Sequence, residues 1–164
     1  MPLLRADSFA FRVFMAALVI SIAVLGFAYY LQHVVLLDPC PWCVAQRILF
    51  MLLAVLSLLA LLHGRGTKLY AALAALIALA GGGAAVYQLW LQQDPVRSMA
   101  CSGTWLEKTL DTLSFGKLWP NMLQYDGPCT ISPWSFLGMS IPEWSLVWFA
   151  VLAAAFTSLL FRRA

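Results

Sequence analysis

The stretch 38-DPCPWCVAQRILFMLLAVLSLLALL-62 joins two unlike halves. From Val44 to Leu62 it is almost wholly apolar, close to the ~20 residues that carry an α-helix across hydrocarbon. Ahead of that run stand Cys40 and Cys43, with Pro41 and Trp42 between them, and Arg47 lies just inside it. Three more runs have the same character, at about residues 13–31, 69–91 and 144–161. The chain is 63% hydrophobic and only 10% charged over 164 residues, more apolar surface than a water-soluble domain can hide. The expected fold is therefore an all-α membrane protein, a single integral domain over 1–164 in the form of a four-transmembrane-helix bundle. The lipid bilayer is its first partner. A net charge of +3 with no basic stripe speaks against nucleic acid. The first run is too long for a signal peptide, and no small-x-small cleavage site follows it in 27-FAYYLQHVVLL-37, so it is read as a retained helix.

Basic residues set the orientation. Arg5 and Arg12 precede the first run, Arg65 and Lys68 sit in the short link 63-HGRGTK-68, and Arg162 and Arg163 follow the last run. With four crossings all of these share one side, expected to be the cytoplasm, with both termini there. The opposite side holds loops at 32–43 and 92–143 and most of the acids, among them Asp38, Asp94, Glu107, Asp111, Asp126 and Glu143. All seven tryptophans lie in or near that outer part. A symmetric interfacial belt would place some at the inner side too, so the bias points to extra amphipathic surface outside, as at a site.

The long outer loop is too apolar for a free linker. Within it, 105-WLEKTLDTL-113 places Trp105, Leu106, Leu110 and Leu113 near one helical face and Glu107, Lys108 and Asp111 on the other. This predicts a short helix, either on the membrane surface or packed on the bundle. The third run is rich in Ala and Gly, which permits close helix approach, and packing is the simpler reading of Gly81-Gly82-Gly83.

All four cysteines, Cys40, Cys43, Cys101 and Cys129, map to the outer side, where disulfides persist. A structural bridge fits Cys101 and Cys129, which would close a long loop. It fits Cys40 and Cys43 poorly, because so short a ring removes little chain entropy. A close pair of this kind is more often a redox centre or a pair of metal ligands. Zinc calls for four suitably spaced ligands, and haem attachment for a histidine where Val44 stands. Redox, structural and metal readings remain, with redox favoured and no metal expected. Pro41 suits the first position of a helix, which puts Cys43 in the first turn, where unpaired N–H groups and the dipole favour a thiolate. Arg47 falls on the same face as Cys43. A charge inside a membrane helix is costly and marks function by default, the alternative being an arginine that snorkels to the interface. A catalytic disulfide must be restored after each use. The chain has no nucleotide-binding glycine motif, so the expected oxidant is lipid-soluble, a quinone.

With these features in place, the sequence resembles the DsbB family of bacterial disulfide-bond formation proteins over its whole length. The resemblance rests on four helices, a Cys-x-x-Cys opening the second, an arginine four residues after its second cysteine, a cysteine pair in a long second outer loop, and the segment 134-WSFLGMSIPEW-144. It implies a bacterial inner-membrane protein-disulfide oxidoreductase that reoxidises a periplasmic DsbA-like thiol oxidase and passes the electrons to ubiquinone or menaquinone. By position it implies that Cys101 accepts the partner's attack and that Cys129 is its disulfide partner. It further implies that Cys40 exchanges with that pair, and that Cys43 lies against the quinone with Arg47 beside it. A partner as oxidising as DsbA, near about −120 mV, needs an acceptor of quinone class. Two positions depart from the family pattern. Gln88 stands where a histidine is common, though an amide can still hydrogen-bond a quinone carbonyl. Gln46 stands where an acid often precedes the arginine. Two competing readings are a structural membrane protein with stapling disulfides and a vitamin-K-epoxide-reductase-like enzyme; in the latter the loop pair precedes the helix pair along the chain.

Overall fold

The computed structural model describes residues 8–94, 96, 105–112, 119–127, 129 and 134–162. Four long helices cross the molecule, and each is long and apolar enough to span a membrane: α1 (Ser8–His33), α2 (Pro41–His63), α3 (Thr67–Gln92) and α6 (Ile141–Phe161). Two short helices, α4 (Trp105–Thr112) and α5 (Pro120–Leu123), and a small hairpin of β1 (Ser135–Phe136) and β2 (Met139–Ser140) lie between α3 and α6. The fold is an all-α four-helix membrane protein, multi-pass, with this outer structure gathered at one end.

The helices begin and end where local chemistry allows. Pro41 occupies the first turn of α2, and Cys40 is its N-cap in extended backbone (φ −85°, ψ 164°), its sulfur accepting from the Cys43 N–H. Gly64 ends α2 in the left-handed region (φ 64°) and returns its N–H to the Ala60 carbonyl at 3.2 Å; Gly66 (φ 72°) then opens α3. The link is too short for anything but antiparallel neighbours. At the outer end of α6 the Glu143 carboxylate accepts from both the backbone N–H and the hydroxyl of Ser140. Each span starts two to five residues ahead of its apolar run, and the added residues include Arg12, Pro41, Lys68 and Pro142.

The bundle is a chain of neighbours rather than a closed ring. α1 packs on α2, α2 on α3, and α3 most extensively on α6, whereas α1 and α6 touch only sparsely. Alanines carry the close contact along α3, with Ala71, Ala74, Ala75 and Ala78 buried against larger side chains. The Phe50 and Phe149 rings stack at 4.1 Å, and Phe14 meets Phe156 at 5.5 Å. Leucines on the outward faces, such as Leu62 of α2 and Leu76 of α3, are exposed, as lipid-facing positions should be.

The outer structure is anchored on the start of α2. Leu110 of α4 and Met122 and Leu123 of α5 are buried around Val44. The helix expected within 105–113 is present as α4, and its Leu110 packs on the bundle; Leu113 lies outside the described residues. The hairpin joins Ser135 to Ser140 and Phe136 to Met139 through a turn with Leu137 at φ 55° and Gly138 at φ 78°. Strands of two residues carry no readable period, and the sequence reading has no strand there.

The glycine triplet separates by environment. A Cβ on Gly81 would lie 2.2 Å from the Phe149 ring, which is itself locked against Phe50. A Cβ on Gly83 would meet nothing within 4 Å. Gly81→Ala is predicted to destabilise by about 1–3 kcal/mol through overpacking. Gly83→Ala is predicted to be neutral or to stabilise by up to ~1 kcal/mol through helix propensity. Thermal unfolding of the two variants in detergent checks both, and equal behaviour would contradict the packing.

Candidate functional site

Cys40 and Cys43 meet at the N-terminus of α2. Their sulfurs are 3.2 Å apart as free thiols, and the Cys43 N–H points at the Cys40 sulfur at 3.4 Å. Cys40 is buried, and its thiol lies well above the usual range, held there first by its hydrogen bond to Cys43 and then by burial.

Two side chains from inside the bundle face this pair. Gln88, near the outer end of α3 and 2% exposed, donates its amide N–H groups to the Cys40 sulfur at 3.4 Å and the Cys43 sulfur at 3.2 Å. Its amide oxygen accepts from Gln46 of α2 at 2.7 Å, and Gln46 is 4% exposed. Arg47 is 8% exposed. Its guanidinium turns to oxygens of the protein. It donates to the Gln32 side chain and the Ala28 carbonyl (3.3 Å) on α1, and to the Met122 carbonyl (2.8 Å) of α5. The buried charge is thus met by three oxygens from two elements, the condition under which a buried cation is tolerable.

Cys129 comes from the other outer segment. It is disulfide-bonded, 1% exposed, and packed in one apolar cluster with Cys40, Trp42 and Leu91. The backbone makes this approach possible. The Gly127 N–H donates to the Pro39 carbonyl at 3.2 Å, and a Cβ there would lie 2.2 Å from the Asp38 carbonyl oxygen. Only glycine lets the two segments lie this close. Cys101 lies outside the described residues, as do Arg5 and Arg163 of the orientation argument. Among the described residues no group of three or more His, Cys, Asp or Glu side chains is arranged to hold a metal ion.

Beside the cysteines opens a cavity of about 660 Å³, within the range of small-molecule sites. Cys40, Cys43, Arg47 and Gln88 form its polar wall. Its other walls are apolar and aromatic: Val24 and Phe27 of α1, Trp134 and Phe136 at the hairpin, Trp144 and Trp148 of α6. It therefore fills the sparse seam between α1 and α6. Phe27 meets Trp134 edge-on at 5.4 Å, and the Trp144 indole N–H donates to the Phe136 carbonyl at 3.1 Å, which fixes the hairpin over the outer mouth.

The structure brings five of the six sequence-derived candidates into one neighbourhood: Cys40, Cys43, Cys129, Arg47 and Gln88. Gln46, Gln32 and Gly127 were not among those candidates. Gln46 and Gln32 had a signal, since an uncharged amide in or at the end of a spanning run must find a partner inside the protein. Gly127 had none, because its role depends on which backbone lies opposite.

A family model described as "Disulfide bond formation protein DsbB" matches residues 10–159. A disulfide bond formation protein B from Aromatoleum aromaticum is 42% identical over 153 residues, covering 90% of this chain and 92% of that relative. One from Hahella chejuensis is 42% identical over 142 residues, covering 85% and 86%. Disulfide bond formation protein B 1 of Pseudomonas aeruginosa is 36% identical, covering 84% and 86%.

The shared cluster of Cys40 and Cys129 makes a specific prediction. A chain carrying Cys43→Ser and Cys101→Ser should form a Cys40–Cys129 bond on mild oxidation. Adding Gly127→Ala should slow that step by about 10²-fold, because a displacement near 1 Å removes the reacting geometry. Peptide mapping under non-reducing conditions follows the bond. No Cys40–Cys129 species in the parent, or an equal rate with Gly127→Ala, would contradict the assignment.

Proposed function

Because this chain belongs to the DsbB family of disulfide bond formation proteins, we propose that it oxidises a periplasmic DsbA-like dithiol and passes the electrons to a membrane quinone, ubiquinone or menaquinone. It does so in the bacterial inner membrane with both termini in the cytoplasm. The carrying observation is that Cys129 and Cys40, from separate outer segments, share one buried cluster beside a cavity with Cys43 in its wall.

The partner's thiolate attacks Cys101 of a Cys101–Cys129 disulfide, which forms a mixed disulfide and releases Cys129 as a thiolate. The partner's second thiolate displaces Cys101, so the partner leaves oxidised and the loop pair is a dithiol. Cys129 then attacks Cys40 of an oxidised Cys40–Cys43 pair and releases the Cys43 thiolate. Cys101 closes back on Cys129 and frees Cys40. Two electrons now rest on the helix pair. Two protons leave with those electrons.

The cavity suits a quinone. It is lined largely by apolar and aromatic side chains, lies in the seam between two membrane helices, and has Cys43, Arg47 and Gln88 in its wall. A bound quinone supplies the capacity to accept two electrons and two protons. Gln88 holds the sulfurs in place with its two N–H groups. Arg47 contributes a fixed positive charge at the wall where negative charge develops. Three of its five N–H donors are used by the described bonds, which leaves two to serve a carbonyl oxygen. The aromatic hairpin and tryptophans keep water from the dithiol.

Two experiments test the reading. Cys129→Ala should trap a mixed disulfide between Cys101 and the partner, seen on non-reducing gels; a species joined through Cys40 with Cys101 free would overturn the order of transfer. Arg47→Gln removes a charge-assisted bond worth ~1.5–3 kcal/mol. It should raise the apparent KM for quinone or lower turnover by about tenfold to a hundredfold. Single-turnover attack of the reduced partner should be nearly unchanged. Intact quinone kinetics in Arg47→Gln would move the acceptor site elsewhere.

A further inference from the structure

The three polar side chains nearest the helix pair are not equivalent. Arg47 is bound to α1 and α5 oxygens, while Gln88 alone among the described side chains donates to both sulfurs. A glutamine amide has a donor end and an acceptor end of nearly the same shape, and only one can face the sulfurs. Nothing on Gln88 itself selects the donor end. If the amide turned over, its oxygen would point at two electron-rich sulfurs and its NH₂ group would need another acceptor inside the bundle, where an unpaired donor is costly.

Gln46 breaks that symmetry. It sits three residues after Cys43 on α2, is buried, and donates its amide N–H to Gln88 Oε1 at 2.7 Å, the shortest bond in the chain of contacts. With the Gln88 oxygen on the Gln46 donor, the Gln88 nitrogen lies toward Cys40 and Cys43. We infer that Gln46 is a positioning residue: its hydrogen bond to Gln88 fixes the direction of that amide, so that both N–H groups face the Cys40–Cys43 sulfurs and favour the reduced pair.

The inference rests on the reading of Cys40–Cys43 as a cycling redox pair and adds to it a determinant of poise. N–H donors stabilise sulfur more as it gains negative charge. They therefore act when Cys43 is released by attack on Cys40, and they stabilise the dithiol state that then awaits the oxidant. Gln46 does this without touching either sulfur in any described contact. Its loss should be felt through Gln88 or not at all.

The test is a double-mutant cycle on the full-length chain in detergent, kept anaerobic and equilibrated with a redox buffer of oxidised and reduced DsbA-like partner, whose couple lies at about −120 mV. Differential alkylation and peptide mass analysis report the fraction of Cys40–Cys43 reduced. Gln88→Met keeps the side-chain volume and removes the donors. It should shift the equilibrium about tenfold toward the disulfide, equivalent to ~30 mV for this two-electron couple. Gln46→Met should shift it the same way by most of that amount. The double variant should match Gln88→Met alone, because effects that run through one residue do not add. No shift with Gln46→Met, or full additivity in the double variant, overturns the inference. Should a Met variant fail to fold, Gln46→Glu serves in its place. Read at a pH high enough to ionise this buried carboxyl, it can only accept, so it turns the Gln88 amide over and should shift the equilibrium more with Gln88 present than with Gln88→Leu; an equal shift in both backgrounds overturns the inference. A wild-type pair that the buffer cannot cycle would instead sink the reading of the helix pair as a redox centre.

Discussion

A helix that enters a bilayer must satisfy its first N–H groups with little help from water, and in this chain a cysteine sulfur does so. The Cys43 N–H points at the Cys40 sulfur, Cys40 is the N-cap, and Pro41 removes one donor that would otherwise need a partner. From this single arrangement much of the outer structure follows. The sulfurs are brought together by a helical turn, so the pair needs no loop of its own. The field of the helix terminus acts on both. Val44, one residue on, becomes the floor on which α4 and α5 rest. The cysteine pair and the anchor of the outer structure are the same half-turn of α2.

The second constraint is that Arg47 must be neutralised within the protein. Its partners on α1 and α5 tie the outer loop to the bundle at the level of the cysteines. α1 is thereby held to α2 rather than to α6, and the seam between α1 and α6 stays open as the cavity. The hairpin and its aromatic neighbours cover the outer mouth of that seam. A charge buried at some cost is in this way also a spacer, and the space it keeps lies against the dithiol.

Much of this was legible in the sequence. The four spans, their number and the antiparallel order follow from hydropathy and from the Gly64–Gly66 link. Pro41 and the spacing of Cys40, Cys43 and Arg47 announced the start of α2. Other features depend on tertiary neighbours and leave no local mark. Gln46 and Gln88 are 42 positions apart, and nothing in either segment says that one amide directs the other. Gly127 reads as an ordinary turn glycine beside Asp126 and Pro128; its backbone approach to Asp38 appears only when the two outer segments are laid together. The 135–140 hairpin is too short for a period, and its turn places Leu137 in a left-handed conformation that leucine rarely signals. The open seam depends on which helix pairs fail to pack, which hydropathy does not encode.

The central claim is that electrons enter at the loop pair, cross to Cys40–Cys43, and leave to a quinone in the cavity beside Cys43. Anaerobic mixing of the purified chain with a reduced DsbA-like partner and a quinone, followed by quinol absorbance, measures that whole path. The account predicts one quinol for each partner disulfide formed, and no quinol when Cys43 is replaced by serine. Oxidation of the partner without quinol, or quinol formation that survives Cys43→Ser, would contradict it.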